Sequence, residues 1–195
     1  MTEWWTYGLS DFLMFSPETY WRLVARHNAA GWPAQLLTGA VPAALLVVLS
    51  GGSAATARAA LLVLALAWAW LGHAFYWQHY SEIFLGAPWI AGACGVQSLL
   101  LAAAALVPLR RSNPAPRLAA TALLAAALCY PLLAPLTGHP WTEAEVFAFM
   151  PEPTALATLG VAAGLRQVPI AVRLVLAVLP LLSLMLGAAT RWLIA

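Results

Sequence analysis

From Ala29 onward the chain returns repeatedly to long runs of Ala, Leu and Val, and the short stretches between them carry most of its charge. Crossing a ~30 Å hydrocarbon layer takes about 20 helical residues, and a helix bonds every backbone N–H and C=O within itself. With 63% hydrophobic and 8% charged residues among 195, there is more apolar surface than a water-soluble core of this size could bury. The sequence therefore predicts an all-α membrane protein: a single bundle of about six transmembrane helices preceded by a short amphipathic interfacial helix. It reads as one integral membrane domain over 1–195, with an N-terminal interfacial segment at 1–28 and the bundle at 29–195. Met1–Asp11 lacks the basic start and short apolar core of a cleavable signal, so the N-terminus is expected to be kept.

Spans are expected at Ala29–Leu49, Ala59–Trp77, Ala87–Val107, Leu118–Leu136, Pro153–Leu165 and Leu174–Ile194. The fifth is short and is entered through Met150-Pro151-Glu152-Pro153. It must borrow flanking residues, be shielded by its neighbours, or re-enter. Ahead of the spans, Ser16 and Pro17 make a helix start, with serine as N-cap and proline at the first helical position. At ~100° per residue, Glu18, Arg22 and Arg26 then fall on one side of Pro17–Asn28 and Tyr20, Trp21, Leu23, Val24 and His27 on the other. A helix of that kind suits the headgroup region, where Trp4, Trp5 and Tyr7 would join it.

Arginine placement orients the bundle. All nine basic residues are arginine, and with six spans Arg58, Arg110, Arg111, Arg117, Arg166 and Arg173 fall on one side, against Arg22, Arg26 and Arg191 on the other. The positive-inside rule puts the larger group in the cytoplasm and both termini outside. His27, His73, His79 and His139, with Glu82, Glu143, Glu145 and Glu152, then all lie in the outward half. Any chemistry is expected on that face.

On a regular helix His73 and His79 point about 240° apart, so they cannot share one metal unless the helix breaks between them. His79 and Glu82 remain a possible pair at i and i+3. Glu143 and Glu145 with His139, in "GHPWTEAEVF", are competent ligands for a divalent cation. The candidate metal ligands are thus His79, Glu82 and Glu145. Haem is not expected, because no other span carries a histidine at the depth of His73. Asn28, Gln35 and Gln97 sit at or inside spans, where amides commonly bond one helix to another.

Other classes are disfavoured. A formal charge of +2, with scattered arginines, offers no face for nucleic acid. Cys94 and Cys129 lie far apart inside apolar runs, which makes buried thiols the expectation rather than a disulfide or redox pair. No nucleophile with a base and no phosphate-binding glycine loop is visible, and nothing signals an enzyme.

Asn-x-x-x-Trp-Pro-x-Gln at 28–35, "WAWLG" at 68–72, "YPLL" at 130–133, "GHPW" at 138–141 and "PEPTALATLG" at 151–160 occur in that order. Together they resemble a bacterial membrane-protein family known as domain of unknown function 6064. The resemblance runs from about Asp11 to Leu165 and implies a polytopic inner-membrane protein, with no established activity. The functional expectation is an outward-facing pocket lined by His73, Tyr76, Trp32, Gln35, His139 and Glu143. It would bind a small ligand or metal ion, within the lipid bilayer and as part of a larger membrane assembly. A small-solute or ion transporter and a structural accessory subunit are the alternatives. A carrier should line its whole path with polar groups, yet the cytoplasmic halves of these spans are almost pure Ala, Leu and Val.

Overall fold

The computed structural model describes residues 15–50, 53–108, 118–165 and 167–194. Trp4, Trp5, Tyr7, Arg110, Arg111, Arg117 and Arg166 lie outside the described residues. Among those described, all regular structure is helical.

Helix α1 spans Pro17–Gly31, and the Ser16 hydroxyl accepts the Thr19 N–H at its start, as the Ser-Pro pair requires. The cis Trp32–Pro33 bond follows, and α2 (Ala34–Ser50) leaves at 93° to α1. The break falls three residues later than the sequence places it, because α1 continues through Ala29, Ala30 and Gly31. The apolar face of α1, with Tyr20, Leu23, Val24 and His27, is buried inside the protein. That corrects the expectation that this face would meet headgroups: α1 lies across the end of the bundle as a cap.

Helix α3 (Ala54–Trp70) runs on as a π-helix over Leu71–Trp77 and ends in a 3₁₀ turn at Tyr80–Glu82. α4 spans Ala87–Leu106, and α5 (Leu118–Cys129) continues through a 3₁₀ turn into the short α6 (Leu133–Leu136). α7 is Pro151–Gly164 and α8 is Ile170–Ile194. Neighbours run antiparallel. Ser98 Oγ on α4 donates to the Ala65 carbonyl on α3 at 2.7 Å, while Gly72 packs against Ala91 and Cys94. Gly160 on α7 packs against Ala120 and Leu124 on α5, and Gly187 near the end of α8 touches Glu152 at the start of α7.

Ala54–Glu82, Ala87–Leu106, Leu118–Leu136 and Ile170–Leu193 are long and apolar enough to cross a membrane, and the bent α1–α2 pair makes up to five. The expected count of six is not reached, because α7 has 14 residues. Most of α7 is buried, including Thr154 and Thr158, so its neighbours satisfy it in place of lipid. Trp68 Nε1 on α3 donates to Thr158 Oγ1 at 2.9 Å, and Thr158 Oγ1 donates to the Thr154 carbonyl at 2.8 Å.

Candidate functional site

One end of the bundle gathers the polar chemistry. α1, the π-helical end of α3 and the segment from Thr137 to Met150 meet there with the start of α7 and the end of α8. Asn28 Nδ2 ties α1 to that segment, donating to the carbonyls of Thr142 at 2.8 Å and Ala144 at 2.9 Å. Gln35 Nε2, on the second residue of α2, donates back to the Asn28 carbonyl and closes the elbow. These bonds use one amide nitrogen of each residue and leave Asn28 Oδ1 and Gln35 Oε1 buried without a protein partner. Outside the elbow lies a groove of about 480 Å³, walled by Asn28, Gln35, Gly39, Pro131 and Val146 with the exposed rings of Trp32 and Trp141. That volume is in the range of small-molecule sites, which combine apolar walls with a few polar groups.

Trp32 and Gln35 line this groove, and His139 and Glu143 stand nearby. His139 Nδ1 lies 2.7 Å from Glu143 Oε2, and its ring rests 4.0 Å from that of Trp21. The other expected residues are elsewhere. His73 is exposed, accepting at 3.1 Å from Gln78 Nε2, so it does not join the pocket placed around it. Tyr76 is buried on the far side, lining a groove of about 280 Å³ with Cys94 and residues of α8. The π-helix explains both positions: the Gln78 backbone N–H bonds the His73 carbonyl five residues back and the two side chains meet, so the regular-helix register does not hold.

The metal trio is dispersed. Glu82 pairs with Arg26 of α1, His79 Nδ1 donates to the Ala74 carbonyl at 2.7 Å, and Glu145 faces Arg191. The three engage separate partners: α1 brings Arg26 to Glu82 and the His27 ring to His79, while α8 brings Arg191 to Glu145. Among the described residues no group of three or more His, Cys, Asp or Glu could hold a metal. Cys94 is buried but Cys129 is exposed, so the expectation of two buried thiols holds for Cys94 alone.

Three residues that carry the centre, His27, Arg191 and Glu152, were not among the site residues expected from the sequence. His27 is 3% exposed and packs between the rings of His79 at 4.8 Å, Phe75 and Phe149. Its Nε2 is buried without a partner. Arg191, near the end of α8, donates to Glu145 and lies 4.0 Å from Glu152 Oε1, with its guanidinium 5.3 Å from the Tyr130 ring. Glu145 and Glu152 are 5% and 4% exposed. The signal was present: an arginine three residues before the end of an apolar helix, on the same side as an acidic loop, invites a partner across the bundle.

A family model described as a family of unknown function, domain of unknown function 6064, matches residues 17–194. The chain belongs to this family. That is the family its motifs resemble. No curated protein and no solved structure matches the chain.

Proposed function

We propose that this member of the domain of unknown function 6064 family is a non-enzymatic membrane protein whose elbow groove binds an apolar small molecule bearing a hydrogen-bond donor. The observation that carries this is the groove of about 480 Å³ between Trp32 and Trp141, whose wall includes two amides that each keep an unpaired oxygen. An alcohol or amine head would meet Asn28 and Gln35, and its chain would lie on Leu36, Pro131 and Val146.

The membrane setting follows the same reading: a single bacterial inner-membrane domain crossing six times, with α7 as a protein-shielded crossing. Its support is that Arg58 and Arg173 sit at the end of the bundle away from the groove, which the positive-inside rule would make cytoplasmic. The groove then faces outward, and both termini lie on that side. Neighbouring subunits of a larger assembly would cover the exposed apolar faces.

Quenching by bromododecanol tests the site, because bromine quenches tryptophan on contact. Titration of the full chain in bicelles is expected to give saturable quenching that disappears when Trp32 and Trp141 are both changed to Phe. Gln35→Leu is expected to weaken it roughly tenfold, the equivalent of one lost hydrogen bond. Non-saturable quenching, or equal quenching in the double variant, would show partitioning into lipid and overturn the reading.

A further inference from the structure

The polar end holds a second constellation, separate from the groove. Glu145 comes from the loop before α7, Glu152 from the first turn of α7, and Arg191 from the last turn of α8. Two carboxylates share one guanidinium, so the fully ionised cluster carries one excess negative charge. Arg191 donates to Glu145, and the Glu152 carboxyl takes a bond from its own backbone, which leaves Glu145 Oε1, Glu152 Oε2 and Arg191 Nε buried without partners. An ionised carboxylate in that state is among the costliest things a protein interior can hold, and the neutral acid is far cheaper.

Beside Glu152 is a cavity of about 20 Å³, lined by Tyr20, Phe75, Tyr76, Tyr80, Gly187 and Thr190. That is room for about one water, and its wall mixes the rings of Tyr20, Phe75, Tyr76 and Tyr80 with the Glu152 carboxyl and Thr190. The titratable and charged groups facing the cluster are Tyr20 from α1, Tyr76 and Tyr80 from the end of α3, Tyr130 after α5, and Arg191. The tyrosines stay neutral at physiological pH, and Arg191 is the one cation among them.

From this geometry we propose that the Glu145–Glu152–Arg191 cluster is a proton-binding site that holds one proton on its carboxyl pair at neutral pH. Burial, then the adjacent Glu152 carboxylate, raises Glu145 above the ordinary carboxyl range, and Arg191 opposes this. The Arg191 side chain is 32% exposed and gives the proton an edge through which to exchange with solvent. The site rests on the carboxylates and not on what fills the elbow groove.

Charge counting tests it. Infrared spectra of the full chain in proteoliposomes at neutral pH are expected to show one protonated-carboxyl C=O stretch. Glu145→Gln or Glu152→Gln should each abolish that band, although either variant leaves the other carboxyl in place, because two opposite charges then balance. Arg191→Gln should roughly double it, since both carboxyls must then be neutral. Glutamine is nearly isosteric with the protonated acid, so unchanged thermal unfolding of the two Glu variants checks that they fold. No band in the wild type, or a band that survives in both Glu variants, overturns the proposal. A wild-type band that added sodium removes at constant pH overturns it in favour of an alkali cation.

Discussion

Helices α7 and α8 pack side by side in opposite directions and differ in what surrounds them. α8 has 25 residues and exposes Leu174, Val178, Leu181, Leu182 and Met185 along its length. α7 has 14 residues, buries most of them, and carries Glu152, Thr154 and Thr158 inward. Hydropathy marks α8 strongly and α7 weakly, although both run between the two ends of one bundle. A helix facing lipid must be apolar outward, whereas a helix facing other helices needs small residues for close approach and polar groups that find partners. Apolarity thus reports what a helix touches more directly than where it lies.

The contrast is tested first where the two helices meet in charge. Arg191→Leu leaves Glu145 and Glu152 buried without their cation, and removing one partner of a buried pair is costly. With Arg191 partly exposed, a loss of about 3 kcal/mol at neutral pH is expected in unfolding from mixed micelles. The pH dependence has a definite sign. Burial already raises Glu145 above 4.5, and losing the guanidinium raises it further. The folded state then binds more protons than the unfolded, so stability falls as pH rises and the loss is smallest in acid. A loss independent of pH would mean that packing of the arginine stem, and not its charge, joins α7 to α8.

Next comes the closeness of α7 to its neighbours. A Cβ on Gly160 would meet the Leu124 side chain at 2.8 Å and the Ala120 carbonyl oxygen at 3.2 Å. The leucine can shift but the backbone oxygen cannot, so Gly160→Val is expected to cost about 2 kcal/mol by overpacking. No effect would show that α5 and α7 can separate freely. A smaller effect is expected from Trp68→Phe, which removes the bond to Thr158. Thr158 keeps its own bond to the Thr154 carbonyl, so about 1 kcal/mol is expected rather than the larger cost of an orphaned polar group.

What could be read from the residues alone follows the same division. The long apolar helices α4 and α8, the Ser16–Pro17 start and the elbow near Trp32 were legible, because composition and capping act locally. Trp32 and Gln35 fell in one groove because the elbow sets them one turn apart. His73 was misplaced because seven consecutive residues wind as a π-helix, and no wheel drawn at 3.6 residues per turn survives that. The Glu145–Glu152–Arg191 cluster was hidden for a different reason. Arg191 and Glu145 are 46 residues apart, and their meeting depends on how α8 returns beside α7.

The smallest effect is expected on the outer face of α8. Leu181 is half exposed, and in a bilayer lipid chains replace its lost contacts, so no hydrophobic driving force is forfeited. Leu181→Ala should change stability by less than about 0.5 kcal/mol, the range of substitutions that break no buried contact. The same substitution separates lipid from protein as the neighbour. If it costs as much as Gly160→Val, and the cost depends on protein concentration, then a second chain covers this face and α8 is solvated by protein as α7 is. If the cost is negligible at every concentration, the face meets lipid, and α7 and α8 remain the two opposite ways of placing a helix in one bundle.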